Sequence, residues 1–215
     1  MWTPSLNARQ IWCLKGWHSS VIVGSFEPNH AERGQPMYRI VASIISLPQH
    51  LDSLANNPVI YRPRVCPHCS FGRLWCHGCY DRKADRPSSA SDSLNPIPIP
   101  RYLCQGCYQT CSRLPECIPP RRWYNWPLQQ IVILSLLAEC SLRRCSKQCG
   151  LDRHTVRRWW SELNEHHHEF ALILRMRFPE LGRSVDFSTF WQNCLQSMSL
   201  SQAMAWLDRE GVIVP

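Results

Sequence analysis

The sequence predicts an α+β protein, a small β module ahead of an α-helical domain, and three observations predict it. Two Cys-x-x-Cys pairs, Cys66-Pro-His-Cys69 and Cys104-Gln-Gly-Cys107, stand thirty-four residues apart. A proline-bearing β-like run, Ile97-Pro-Ile-Pro-Arg-Tyr-Leu, leads into the second pair. From Pro127 the apolar positions take a helical period, and the run from Ser141 to Trp160 is broken at Gly150 like two short helices and a turn.

Composition sets the limits. The 215 residues suit one or two small domains. Seventeen prolines against nine glycines describe broken, loop-rich stretches rather than one large core. A net charge of +8 and a pI near 9.0 favour polyanionic partners. Thirteen cysteines would suggest disulfides in a secreted chain, but Met-Trp-Thr-Pro-Ser-Leu at the start has no basic region followed by an apolar core. The longest apolar candidate, Ile131 to Ala138, is too short to span a membrane. The expectation is a cytoplasmic, nucleoid-associated protein with reduced thiols, a metal site and no membrane partner.

Residues 1–36 scatter Trp2, Trp12 and Trp17 among Asn, Pro, Gly and Ser without a sustained period. They read as disordered, or as an extension ahead of a true start at Met37. Residues 37–61 form a short apolar lead-in. Residues 62–120 are the cysteine-rich module, with a solvated Ser-rich loop from Asp85 to Asn95. The prolines at 98 and 100 allow only an edge strand there. Residues 121–178 are helical: a first helix with Pro127 near its start, a second over Leu142 to Cys149 stopped by Gly150, and a third capped by Asp152 and running to about His167. Residues 179–215 make a short tail with helix-like pieces at Phe187 to Met198 and Gln202 to Asp208.

Two knuckles of the Cys-x-x-Cys type can each turn two thiolates toward one tetrahedral ion, whatever the length of chain between them. Cys66, Cys69, Cys104 and Cys107 therefore form the expected ligand set of a zinc ribbon. A compact alternative uses Cys66, Cys69, Cys76 and Cys79, because Cys76-His-Gly-Cys79 is a third pair. Cys111 and Cys117 are candidates for a second site or for buried apolar thiols, and His68 reads as an exposed spacer. Four thiolates leave no position for a catalytic water, so the zinc is expected to be structural and to supply folding energy.

In the helical part, Ser146 supplies the small residue and Gly150 the turn of a helix-turn-helix, with Cys145, Cys149, Leu151, Val156 and Trp159 as inward anchors. Arg153, His154, Thr155, Arg157 and Arg158 then face away near the start of the third helix, the end that enters a major groove. Arg143, Arg144 and Lys147, with Arg121 and Arg122, would lie against phosphates. From Arg121 to Arg158 there are eight basic residues and two acidic ones, a bias that a merely solvated face seldom has. His166, His167 and His168 point in three directions and cannot chelate one ion together; they read as a solvated helix end.

Catalysis finds little support. The acidic residues after the helix-turn-helix span about fifty positions with no strand series to gather them into a two-metal nuclease site. Gly-x-Ser-x-Gly and phosphate-loop motifs are absent. The expectation is a protein that is not an enzyme.

Cys66-Pro-His-Cys69, His77-Gly-Cys-Tyr80 with Arg82, Ile97 to Cys107, and Leu114-Pro-Glu-Cys-Ile-Pro119 together resemble a bacterial family of unknown function that carries a zinc ribbon and includes many transposase-related members. The order of ribbon and helix-turn-helix is also similar to small DNA-binding products of insertion sequences. The resemblance, over about residues 58 to 165, implies Cys66, Cys69, Cys104 and Cys107 as ligands and His77 and Gly78 as structural. Cys79 and Cys117 depart from the family's Tyr and Phe. The expected function is a zinc-dependent DNA-binding protein of a bacterial mobile element, accessory factor or repressor, without a nuclease domain. Its expected partners are double-stranded DNA, a separate transposase and a second copy of itself. The alternatives are a zinc-ribbon module that recruits a separate transposase or polymerase, and a decayed transposase fragment.

Overall fold

The computed structural model describes residues 39–83, 96–120, 124–184 and 186–214. The segment 1–36, the start at Met37, the loop from Asp85 to Asn95, and Arg121 and Arg122 lie outside the described residues. The architecture is mixed: a strand-rich region comes first and a helical region follows.

The first region opens with β1 (Ile40–Val41) and α1 (Leu47–Asn56), followed by a 3-10 turn, Pro58–Tyr61. The Ser46 hydroxyl caps α1 by accepting from the Gln49 amide at 3.3 Å. The cysteine module contains β2 (Leu74–Arg82), β3 (Ile97–Cys104), β4 (Thr110–Cys111) and β5 (Leu114–Pro115). A three-stranded antiparallel sheet has the order β2-β3-β4, while β1 pairs in parallel with β5, Ile40 opposite Leu114.

The expected edge strand is therefore central, but only in part. Pro98 and Pro100 pair with β2 alone, opposite Asp81 and Cys79, and β4 joins on the other side only at Tyr102 and Leu103. The prolines occupy the stretch of β3 where a missing amide breaks no second ladder. Between Cys76 and Cys79 the register of β2 shifts, and Gly78 takes φ +78°. That bulge accounts for Gly78: a side chain at 78 would be strained there.

The helical region holds α2 (Trp126–Leu137), α3 (Leu142–Cys149), α4 (Arg153–Glu165), α5 (His167–Arg177), a 3-10 turn Pro179–Arg183, α6 (Phe187–Ser197) and α7 (Leu200–Arg209). Each start except that of α5 has a side-chain cap, from Asn125, Ser141, Asp152, Asp186 and Ser199, the last in a reciprocal capping box with Gln202. Helix α3 ends in a Schellman closure: Gly150, at φ +63°, donates to Lys147, and Leu151 donates to the Ser146 carbonyl at 3.0 Å.

Four apolar clusters fill the interior. The largest joins α2 and α4 to α5, α6 and α7 around Phe170, Phe190 and Trp191, and it takes in Ile40 of β1. Residues 179–214, a short tail in the sequence reading, thus supply much of this core. A second cluster of Val132, Cys145, Leu151, Val156 and Trp159 ties α2 to α3 and α4. Two smaller ones lie against the sheet, one around Tyr61, Leu74 and Tyr102 and one around Ile97, Ile99 and Ile118. The two regions are also bonded directly. The buried Asp208 carboxylate accepts from the Ile40 amide at 2.8 Å, and the Trp126 indole donates to the Glu116 carbonyl at 2.8 Å.

Candidate metal centre and basic helical face

The two knuckles repeat the same bonds. The Ser70 amide donates to the Cys66 carbonyl at 2.8 Å, and the Cys66 amide to Phe71 at 2.9 Å. In the second, the Tyr108 amide donates to Cys104 at 3.0 Å, and the Cys104 amide to Gln109 at 3.0 Å. Ser70 and Tyr108, in equivalent places, both take left-handed backbone with φ 58° and 57°. The Gln105 amide reaches the Arg73 carbonyl at 3.2 Å, so the β2–β3 ladder carries on to the knuckles and brings them together. Gly106 is needed there: a Cβ at this position would lie 3.0 Å from the Phe71 ring.

The result is a cluster of four thiols, Cys66, Cys69, Cys104 and Cys107, whose sulfurs all lie within 4.8 Å of one another. Cys66 and Cys107 are 3.6 Å apart, Cys69 and Cys104 3.5 Å. A tetrahedral ion with metal–sulfur bonds of about 2.3 Å separates its sulfurs by about 3.8 Å, so the cluster fits a four-thiolate metal site. Backbone amides point at the sulfurs, from His68 to Cys66 at 3.4 Å and from Gly106 to Cys104 at 3.3 Å. Burial opposes ionisation of Cys104, but the Cys107 and Gly106 amides and the neighbouring Cys69 and Cys66 thiols outweigh it and lower this thiol to about 7. One thiolate forms readily, while burial pushes the Cys66 and Cys69 thiols up; a bound cation would displace their protons.

Cys76 is exposed and Cys79 half-buried, both on β2 and outside this cluster, so the knuckles of the hairpin meet rather than the compact alternative. Cys111 is buried beneath the sheet and Cys117 packs half-buried beside Ile118. Among the described residues the four-cysteine cluster is the metal-ligating group found. His68 is exposed.

On the helical side, Cys145, Leu151, Val156 and Trp159 are buried together and Cys149 packs against them. The outward side carries Arg143, Arg144, Lys147, Arg153, His154, Arg157 and Arg158, all exposed, while Thr155 is half-buried. A shallow depression of about 390 Å³ is lined by Ser141, Arg143, Arg144, Lys147 and Gln148.

The histidine run differs from a solvated helix end. His166 and His168 are exposed, but His167 is buried edge-on against Phe187 and Phe190. Burial, aided by nearby His168 and Arg175, holds its imidazole below the ordinary value. The aromatic partners come from α6, twenty residues away, where local sequence pattern carries no signal. Sequence reasoning also passed over Trp75, 58% exposed on β2; β2 does not alternate apolar with polar residues, so the local pattern gave no signal of which side it faces.

The fold and site thus define a strand-rich, four-cysteine hairpin module joined to a helical module with a basic outer face. Residues 66–159 match a family described as a domain of unknown function, DUF6431. The matched span begins at the first cysteine of the cluster and ends inside α4, covering both the hairpin and the α3–α4 unit. No curated protein and no solved structure matches the chain. Among the described residues no helix is long and apolar enough to cross a membrane.

Proposed function

We propose that the protein is a zinc-dependent DNA-binding factor of a bacterial mobile element, an accessory factor or repressor that does not itself cut DNA. In this reading the four cysteines hold a structural zinc ion. All-thiolate tetrahedral sets favour zinc or iron, and a closed set leaves no coordination position for a reacting water. The unit α3–Gly150–α4 acts as a helix-turn-helix, with α4 entering the major groove through Arg153, His154, Thr155, Arg157 and Arg158. Arg143, Arg144 and Lys147 line a concave surface suited to a phosphate run. The observation that carries the reading is the sorting of α3 and α4 into a buried apolar side and an outer side of seven exposed basic or imidazole side chains.

A second reading, recruitment of a separate transposase or polymerase, is favoured by one feature. Ile131 and Leu134, 54% and 36% exposed, sit one turn apart on the outer face of α2.

The test is binding of the zinc-loaded protein to DNA flanking its own gene, against scrambled competitor, across a salt series, with and without chelator. Preference for the flanks, steep loss with salt and loss on chelation are expected. Arg157→Ala should weaken binding by about 1–3 kcal/mol and relax specificity at one position. No binding at low salt with the metal retained overturns the DNA reading and leaves recruitment.

A further inference from the structure

We propose that the uncovered, knuckle end of one face of the three-stranded sheet is a stacking platform for an unpaired base of a nucleic-acid strand, centred on Trp75 and flanked by Arg73 and Arg101. This does not rest on the reading of α4, which concerns duplex DNA and a different surface.

An antiparallel sheet with one face on a core normally turns a polar face to water. Here Leu74, Tyr102, Cys104 and Cys111 take the buried side. The opposite side is covered at Ile97 and Ile99, but toward the knuckles it shows an uncovered row across all three strands: Trp75 stands opposite Leu103, and Leu103 opposite Thr110. Trp75 is 58% exposed, Leu103 half-buried and Thr110 exposed. A large indole lies bare near the start of the edge strand β2, on a ladder-bonded strand rather than a loop tip.

Its surroundings are cationic. Arg73 is two residues before Trp75 in a ladder that continues through the Gln105–Arg73 bond, so both are on the same side of the sheet. Arg101 is two residues before Leu103 on β3, and its guanidinium lies 4.9 Å over the Tyr80 ring, which holds it above this face. Asp81 is the one acidic residue from Arg62 to Lys83, and there is none from Pro96 to Pro115. An aromatic plane between guanidinium groups, on strands poor in carboxylates among the described residues, complements a polyanion that also carries flat rings. A protein ligand would draw no benefit from that charge bias unless it were acidic.

The test uses the full-length, metal-loaded protein and two fluorescent probes of equal length. One is an oligodeoxythymidylate of about fifteen nucleotides, the other an abasic strand with the same phosphates. The wild type is expected to prefer the thymidylate. Trp75→Ala should lose about ten-fold in affinity for it and no affinity for the abasic strand, while Trp75→Phe keeps the preference. Arg73→Gln and Arg101→Gln should each reduce the salt slope by about 0.7 on both probes. Phosphate contacts made by α4 would raise or lower the affinity for both probes alike, so the thymidylate-to-abasic preference separates this surface from α4. Metal content of every variant reports folding; if Trp75→Ala loses metal, Trp75→Phe and the two arginine variants decide. Equal affinity of the wild type for both probes, or thymidylate binding that Trp75→Ala leaves intact, overturns the proposal.

Discussion

Twenty buried residues close the helical core around Phe170 and Trp191, whereas the cluster beneath the hairpin has nine. Two of those nine, Cys66 and Cys104, are members of the thiol cluster itself. The helical module has the apolar mass to hold itself together by burial. The hairpin does not: its sheet is short, its two clusters are small, and its tightest crossing is where four sulfurs converge. With the proposed ion in the thiol cluster, the difference teaches that one chain would divide its stability between two sources, hydrophobic burial at one end and ligation at the other.

The strongest way to break that comparison is to remove a ligand. Cys104→Ser should abolish stoichiometric metal binding and forfeit binding energy of the order of 10 kcal/mol, as four-ligand zinc sites supply. Amide hydrogen exchange should then show protection lost across β2, β3 and β4 but retained in α5, α6 and α7. Equal loss in those helices would show that the two regions are one cooperative unit. Cys76→Ser, on the same strand but outside the cluster, should leave metal content unchanged.

The reciprocal change acts on the helical side. Trp191 is fully buried among Phe170, Phe190 and their neighbours. Trp191→Ala should lower unfolding stability by about 3–5 kcal/mol, read by denaturant titration, while the folded protein still binds its full complement of metal.

The smallest effect sharpens the comparison by pH. His50 is buried under the hairpin, its Nε2–H donating to the Pro98 carbonyl at 3.0 Å and its Nδ1 accepting from the Tyr61 hydroxyl. Burial holds its imidazole below the ordinary 6.5, against a raising contribution from Pro98. The unfolded chain therefore binds a proton that the folded chain refuses. Stability from this site is present above about pH 6.5 and is lost as the pH falls below it. His50→Gln should flatten the acid limb of a stability-versus-pH curve without altering its neutral plateau by more than about 1–3 kcal/mol.

The parts legible in the sequence were those written in local chemistry. The knuckles follow from Cys-x-x-Cys spacing, and the α3–α4 turn from Gly150 and the Asp152 cap, because each needs only a few neighbouring residues to act. The rest depends on distant partners. β1 and β5 are two residues each and acquire meaning only by pairing across more than seventy positions. His167 looks solvated until Phe187 and Phe190 close over it. Residues 179–214 look like a tail until they are seen to fill the space between α2 and α5. Trp75 resembled any β-strand aromatic, since exposure on one side of a sheet is set by what does or does not fold over it.

The bond from Asp208 to the Ile40 amide spans 168 residues. During synthesis β1 can pair with β5 once residue 115 has emerged, but its bond to the helical module waits until α7 is made. Non-local closure of this kind is slow and comes late. A ribosome that stops before α7 releases a chain able to form its knuckles and the Trp126–Glu116 bond but without the Asp208 latch on β1.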